Sequence, residues 1–187
     1  MSKLEELRKE RIHARTIRIE SFLVDDERVV VEGSLDDERM MEIYTRTNQV
    51  LGPGPVHGMK VRMLVGEIPP KILDIEAEMP EVPMEECPEA KANIKKLVGL
   101  TLTYGYSREV KKLLGGVKGC VHLTSLILAM GPAALHGWNN NNRRRPAPAE
   151  FGSFMLEYIK NSCWVWREDG EKYQGEVEEM KKRGESE

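Results

Sequence analysis

Residues 58–79, GMKVRMLVGEIPPKILDIEAEM, decide the fold. Two runs within this stretch alternate apolar and polar residues, and the Ile-Pro-Pro between them is typical of a turn. Such alternation is characteristic of strands that bury one face and expose the other to solvent. The stretch therefore predicts an antiparallel hairpin with one buried face.

A second pair of candidate strands precedes this hairpin. Residues 16–24 and 28–35 are alternating or β-branched runs on either side of an Asp-Asp pair. The segment 36–50 has an acidic start and a mixed period, which favours a short helix or an irregular crossover. Four antiparallel strands are thus the economical interpretation of residues 16–79.

Helical patterns follow the strands. Pro88 suits a first helical position, Gly115 suits the end of a helix that starts near Ser107, and the longest helix candidate is 121–136. Strands first and helices afterwards predict the α+β class, with an antiparallel four-stranded sheet and helices packed on one face of it.

The C-terminal third has a different composition. The run 138–150 is polar and contains prolines, which predicts a mobile loop at the end of the core. Beyond it we predict a helix, a hairpin around the turn signal Asp169-Gly170, and a solvated tail. The predicted organisation is a charged lead-in at 1–15, an α+β core domain at 16–137, the loop, and a C-terminal extension at 151–187.

Composition and charge limit the classes of function. The 187 residues are 40% apolar and 32% charged, which suffices for one packed domain with an extra segment. A net charge of -3 gives no general attraction to nucleic acid, and the run 143–145 of arginines is better interpreted as a solvated loop. The charged N-terminus lacks the apolar run of a secretory signal, and no segment has enough consecutive apolar residues to span a membrane. We therefore expect a cytoplasmic protein that binds neither nucleic acid nor membranes.

Four side chains that can bind metal lie at predicted element boundaries: His57, Cys87, Cys120 and His122. Such boundaries can meet at one edge of the sheet, and two nitrogens with two sulfurs suit zinc or iron. We expect His57, Cys87 and Cys120 to converge at one end of the sheet. Residues two apart on a helix point about 200° apart, so Cys120 and His122 can share one metal only if Cys120 precedes the first turn.

Other interpretations of these residues stay open. Cys87 and Cys120 can each be small buried apolar residues without chemistry. Alternatively, Cys120 near a helix N-terminus can be the thiolate nucleophile of a small-molecule enzyme, with His57 as the better-placed base. A third possibility is a non-catalytic subunit or adaptor that binds a protein partner through the C-terminal region. The aromatic residues available for such contacts are Trp138, Phe151, Phe154, Trp164 and Trp166.

Three segments carry a resemblance to an uncharacterised bacterial family, the domain of unknown function 2889. They read HGMKVRMLV (57–65), ILDIEAEMPEVPMEEC (72–87) and KKLVGLTLTYGYSREVKKLLGGVKGCVHLTSL (95–126). The resemblance covers most of residues 10–170 and implies no particular activity.

A more distant resemblance is to the NifU-like scaffold proteins of iron–sulfur cluster assembly. His57 stands where the scaffold has its first cysteine, Cys87 stands near the second, and Cys120 with His122 matches the scaffold's His-Cys segment in altered order. The resemblance implies a related fold and a metal-binding role with zinc or iron, or an iron–sulfur cluster. Histidine in place of the first cysteine favours a mononuclear nitrogen and sulfur site over a cluster.

Overall fold

A four-stranded antiparallel sheet forms the centre of the molecule. The structure, a computed structural model, describes residues 2–146, 149–182 and 184. The strands are β1 (His13–Leu23), β2 (Val29–Arg39), β3 (Ile43–Tyr44), β4 (Val50–Leu51), β5 (Gly54–Gly66) and β6 (Lys71–Glu81). The large sheet has the order β1-β2-β5-β6, and β3 pairs with β4 in a separate ribbon. This confirms the predicted antiparallel sheet.

Most of the helices follow the strands. They are α1 (Lys3–Glu6), a 3₁₀ segment (Cys87–Leu97), α2 (Tyr106–Leu114), a short 3₁₀ turn (Gly116–Lys118), α3 (Val121–Asn142), α4 (Ala149–Ile159) and α5 (Glu171–Lys182). The predicted α+β class is therefore correct. No helix in the part of the chain that the structure describes is long and apolar enough to cross a membrane.

One face of the sheet forms the core. Val31, Leu35, Val61 and Met63 are fully buried, whereas their sequence neighbours point to the other face and keep contact with solvent. The alternation that predicted these strands is therefore the alternation of burial. The longest helix, α3, packs on this inner face against β1, β2 and β5. Its N-terminus is thereby held beside the sheet.

Glycine at two positions permits close packing of α3. A Cβ atom at Gly33 of β2 would lie 2.7 Å from Met130 Sδ of α3. A Cβ atom at Gly131 of α3 would overlap the ring of Tyr106 from α2. A larger residue at Gly33 would require the Met130 side chain to shift, and one at Gly131 would require the Tyr106 ring to shift, so these glycines allow α3 to pack close to its neighbours.

Two local predictions are wrong. The segment 36–50 is neither a short helix nor an irregular crossover, because β2 continues to Arg39 and the β3–β4 ribbon follows. The hairpin predicted around Asp169-Gly170 is also wrong, since α5 begins at Glu171. Gly170 accepts the first hydrogen bond of that helix, from the amide of Gln174. A turn signal can start a helix as well as join two strands.

The loop predicted at 138–150 starts later than expected. Helix α3 continues to Asn142 because the Trp138 side chain is almost fully buried, at 1% exposed. Trp138 packs against Phe151 and Phe154 of α4, at ring-centroid distances of 5.3 and 5.9 Å. Residues 147 and 148 of the predicted loop lie outside the described residues. The first helix of the C-terminal extension thus contributes to the same core as the sheet.

Candidate metal centre

Three polar side chains form a row across the inner face at one end of the sheet. In the strand register Arg15 of β1 lies opposite Asp37 of β2, and Asp37 lies opposite His57 of β5. Directly opposed residues of antiparallel strands point to the same face, so the three side chains are neighbours. The row continues the buried face, and Asp37 is itself only 2% exposed.

Asp37 is the centre of this row. Arg15 donates from Nε and Nη2 to the two carboxylate oxygens, both at 2.6 Å. His57 Nδ1 lies 3.0 Å from Oδ2, and His13 Nε2 lies 3.5 Å from Oδ1. The Arg15 hydrogen bonds, opposed by burial and assisted by His57, lower the pKa of Asp37 to about 2. Asp37 is therefore ionised at neutral pH and accepts a hydrogen bond from His57 Nδ1.

His122 reaches the same group from the N-terminus of α3. Its Nε2 lies 3.9 Å from Asp37 Oδ2. Its ring stacks on that of His57, with centroids 3.6 Å apart and an angle of 30° between the planes. Burial lowers the pKa of His122, and the charges of His57 and Arg15 lower it further, while Asp37 opposes them. The shift favours the neutral imidazole, which is the form that binds metal.

Cys120 contacts His122 because it lies just outside the helix. It occupies the N-cap of α3 with an extended backbone, φ -97° and ψ 133°. Its Sγ lies 3.8 Å from His122 Nδ1. In a regular helix the two side chains would point in nearly opposite directions. Because Cys120 precedes the first turn of α3, both side chains can lie on the same side.

The closest group of metal-competent atoms contains Asp37, His57 and His122. One ligand atom from each lies within 4.8 Å of the others, and no other such group of three occurs among the described residues. Cys87 and Cys120 are outside this group. Cys87 starts the 3₁₀ segment and packs, partly buried, against the hydrophobic core. The structure thus brings His57 and His122 together, sets Cys120 beside them, and leaves the role of Cys87 as a prediction.

Asp37 and Arg15 were missed in the sequence analysis. One signal was present: Asp37 continues the inward alternation of Val31, Gly33 and Leu35, which places a carboxylate on an apolar face. A carboxylate in such a position needs a cationic partner, so the alternation alone could have singled out Asp37. The mixed period of the segment 36–50 favours a short helix or an irregular crossover instead, and this hides the pattern. Arg15 has no comparable local signal.

Comparison with known protein families identifies a family for this chain. A family described as protein of unknown function (DUF2889) matches residues 13–136, which contain every residue of the group described above. No curated protein and no solved structure matches the chain. The likeness to the iron–sulfur scaffolds and the bacterial origin stay predictions.

Proposed function

We propose that this chain, which belongs to the DUF2889 family of proteins of unknown function, binds a divalent transition metal, zinc or iron, through Asp37, His57 and His122. The observation that carries the proposal is the approach of three ligand atoms within 4.8 Å of one another. Two imidazoles and one carboxylate are a ligand set used for catalytic zinc and for non-haem iron(II).

The protonation states support metal binding. Ligands must be deprotonated to coordinate a metal. The depressed pKa of Asp37 keeps its carboxylate charged, and the lowered pKa of His122 favours a free lone pair on that imidazole. The group therefore offers a negative charge from Asp37 and a neutral nitrogen from His122 at neutral pH.

Neighbouring side chains can hold the ligands in place. His122 directs Nε2 towards Asp37 and Nδ1 towards Cys120 Sγ at 3.8 Å, so its second nitrogen has a partner. Arg15 binds both oxygens of Asp37, yet a carboxylate has about four lone-pair sites and retains room for a metal. Arg15 and Cys120 are thus proposed to orient the ligands.

The distances between ligand atoms suit a metal after a small movement. In a tetrahedral shell with bonds of about 2.0 Å, ligand atoms lie about 3.3 Å apart. The distances from Asp37 Oδ2 to His57 Nδ1 and to His122 Nε2 are 3.0 and 3.9 Å. A coordinated metal lies close to the plane of each imidazole that binds it, and the two ring planes are stacked with an angle of only 30° between them, so one imidazole would have to turn to bind the same metal. A metal bound through His57 Nδ1 would require that nitrogen to be unprotonated, so a neutral His57 would carry its proton on Nε2 instead.

Three protein ligands leave an open position on the metal. A structural zinc usually has four protein ligands, whereas an open position binds water or substrate and supports Lewis-acid chemistry. This makes a catalytic or transfer role the better proposal. The scaffold resemblance agrees with transfer, but the group of ligands found among the described residues contains no thiolate and Cys120 contacts it only through His122, which favours a single ion over an iron–sulfur cluster.

Elemental analysis of protein purified without a histidine tag tests the proposal. We expect about one zinc or iron per chain, lost in Asp37→Asn, His57→Asn and His122→Asn and retained in His136→Asn, which changes an exposed histidine of α3. Substitution of a residue that only orients a ligand typically weakens metal affinity by about 10–100-fold. Loss of a ligand itself should weaken the affinity by more. A folded wild-type protein that binds none of these metals when they are added would contradict the proposal.

Substitution with cobalt(II) distinguishes the role of the cysteines. A coordinated thiolate adds an intense charge-transfer band in the near ultraviolet that histidine and carboxylate ligands do not produce. We expect weak visible bands without this feature, unchanged in Cys87→Ser. A strong near-ultraviolet band that disappears in Cys87→Ser or Cys120→Ser would restore the originally predicted His/Cys ligand set.

A second candidate function is a thiol-dependent enzyme with Cys120 as nucleophile. The observation that favours it is the contact of Cys120 Sγ with His122 Nδ1 at the N-terminus of α3. His122, rather than the predicted His57, would then be the base. Alkylation of Cys120 measured against pH tests this candidate. Rapid alkylation near neutral pH that slows in His122→Asn would support it, and identical profiles would remove it.

Location and partners are further parts of the proposal. We place the protein in the cytoplasm because its three cysteines are all free thiols, as expected in a reducing compartment. A protein partner is proposed to bind the C-terminal region, where the Trp164 side chain is 81% exposed. Replacing Trp164 with serine should reduce retention of a candidate partner on immobilised protein without changing stability.

A further inference from the structure

Strand β1 is an open edge of the sheet. It is eleven residues long, and β2 is its only strand neighbour among the described residues. At the opposite edge, β6 is partly covered by the segment 99–102, which exchanges backbone hydrogen bonds with Pro70 and Ile72. A long exposed edge offers a row of unpaired N–H and C=O groups to another strand. Nearly all of its side chains are exposed as well.

The hydrogen bonds to β2 determine which residues of β1 face outward. Met40 N donates to Ile12 O at one end of the pairing, and Val24 N donates to Arg28 O at the other. The register between these ends has no bulge, so even-numbered residues of β1 bond to β2. The odd-numbered residues therefore direct their backbone groups to the free edge. Within β1 these are His13, Arg15, Ile17, Ile19, Ser21 and Leu23.

We propose that β1 pairs antiparallel with β1 of a second copy of this chain, about a twofold axis at Ile19. The pairing joins the two sheets into one continuous sheet of eight strands. Ile19 is an outward-bonding residue, so its N–H and C=O can bond to Ile19 of the second copy. The proposal concerns association of the chain and does not depend on metal binding.

Charge complementarity selects this register. When the inner faces of both sheets lie on the same side, each possible register places the twofold axis at one residue of β1. Neighbouring registers place the axis at neighbouring residues. An axis at Arg18 or at Glu20 sets like charges directly opposite each other, which is destabilising. An axis at Ile19 sets Arg18 opposite Glu20 of the second copy, and Glu20 opposite its Arg18. Both side chains are exposed and already pair with each other within one chain, at 2.8 Å.

The charges around Glu20 also favour this register. Within one chain Glu20 lies directly opposite Glu32 of β2, a like-charge pair on the open face of the sheet. Arg62 neutralises Glu32 from the other side, at 2.7 Å. Arg18 of the second copy would give Glu20 a cation on its remaining side. The row across the interface then has a positive charge on each side of the two glutamates.

The same register covers apolar surface on the inner face. Ile17 is 40% exposed and would lie opposite Ser21 of the second copy. Leu23 is 56% exposed and would lie opposite Arg15, whose aliphatic part can pack on it. Ile19 would pack against its own copy at the axis. Residues that expose apolar side chains in the single chain thus gain neighbours in the pair.

Sedimentation velocity over a concentration series tests the pairing in the full chain. We expect a dimer that weakens at least about 10-fold in Arg18→Glu, because both symmetric contacts then become glutamate pairs. The double variant Arg18→Glu/Glu20→Arg restores opposite charges and should restore the dimer. Arg108→Glu, a charge reversal at another exposed position, should leave it unchanged. These side chains are exposed, so the variants are expected to fold.

Hydrogen exchange identifies the interface directly. The amides of Ile17, Ile19 and Ser21 should become protected as the concentration rises, whereas those of Arg18 and Glu20 should be protected at every concentration. A chain that stays monomeric up to about 1 mM would overturn the proposal. So would a dimer that Arg18→Glu does not weaken and that leaves the odd-numbered amides open to exchange.

Discussion

Asp37 has the strongest electrostatic interactions of any single residue in the candidate metal centre. A carboxylate on the buried face of a sheet loses hydration, and only strong partners offset that cost. Arg15 supplies two charge-assisted hydrogen bonds, and His57 supplies a third. The lowered pKa of Asp37 measures how strongly the fold prefers the charged form. Metal binding would use a charge that the fold already stabilises.

The pKa of Asp37 predicts a contribution to acid unfolding. Its folded pKa of about 2 lies below the ordinary value of 3.8, so its contribution is present above pH 4 and is lost as the pH falls towards 2. The shift corresponds to about 2 kcal/mol of unfolding free energy. Urea unfolding of the metal-free protein between pH 5 and pH 2.5, approximately, should show this loss. The Asp37→Asn variant should be less stable at pH 5 and show a flatter dependence.

The control for this prediction is the adjacent residue on the other face of β2. Asp36 is exposed, so Asp36→Asn should keep the dependence of the wild-type protein. Equal slopes in Asp37→Asn and the wild-type protein would contradict the assignment of the charged, Arg15-bound state to Asp37.

Sequence reasoning found only part of this site, for a physical reason. His57, Cys120 and His122 could be singled out because histidine and cysteine are rare and lay at predicted boundaries. The contact of Arg15 with Asp37 depends on the register of β1 on β2, which the packing of the whole sheet fixes. Local alternation predicted that the strands exist but not which residues oppose each other. The contact of Arg15 with Asp37 could therefore not be predicted before the strand register was known.

At the scale of secondary-structure elements, the contact of α2 with α3 holds the helical layer together. The Tyr106 ring occupies the space over Gly131 and donates its hydroxyl hydrogen to the carbonyl of Ile127, at 2.8 Å. Burial raises the pKa of Tyr106 well above its ordinary value, which agrees with a neutral hydroxyl in the core. The helix carrying His122 and the helix before it are thus fixed through one aromatic side chain.

The substitution Gly131→Ala should destabilise the protein although alanine favours helices. The added methyl group would displace the Tyr106 ring and cost about 1–3 kcal/mol, against a gain of about 1 kcal/mol in helix preference. Chemical unfolding measures the difference. Gly175→Ala in α5 is the matched control, because no atom lies within 4 Å of its added Cβ, and we expect it to be neutral or stabilising. A stabilising Gly131→Ala would show that the contact is not tight.

The elements also show where local patterns misled. The Asp169-Gly170 signal predicted a hairpin, but α5 follows and buries Tyr173. The asparagine run of residues 139–142 predicted a loop, yet burial of Trp138, Asn141 and Asn142 keeps α3 helical. The side-chain amide of Asn141 donates to Asp25 O, and that of Asn142 donates to Trp138 O. Tertiary contacts thus override weak local preferences. The core strands were predicted well because burial itself produces their alternation.

At the scale of the whole molecule, the two faces of the sheet have different roles. The inner face holds the hydrophobic core and ends in the row of Arg15, Asp37 and His57. The outer face is charged, with Arg62 bound to Glu32, Glu76 and Glu78. Such exposed pairs contribute little to stability and keep an uncovered sheet compatible with water. Stability and the candidate site therefore both depend on the helical layer over the inner face.

The C-terminal helices provide the last test of that dependence. A chain ending at Pro146 loses Phe151 and Phe154, the two rings that pack on Trp138. Burial of one phenylalanine contributes about 1.5–3 kcal/mol, and each aromatic pair adds about 0.5–1.5 kcal/mol. We therefore expect this chain to lose at least about 2.5 kcal/mol of unfolding free energy. Circular dichroism during urea unfolding measures it.

A chain ending at Lys160 is the matched control, because it keeps α4 and all three aromatic rings while removing α5. We expect a smaller loss, since α5 contributes one buried side chain, Tyr173. Both shortened chains contain residues 13–136, which supply every proposed ligand, so both should bind metal once folded. Equal losses of stability in the two chains would show that α5, rather than the packing of α4 on Trp138, stabilises the end of α3.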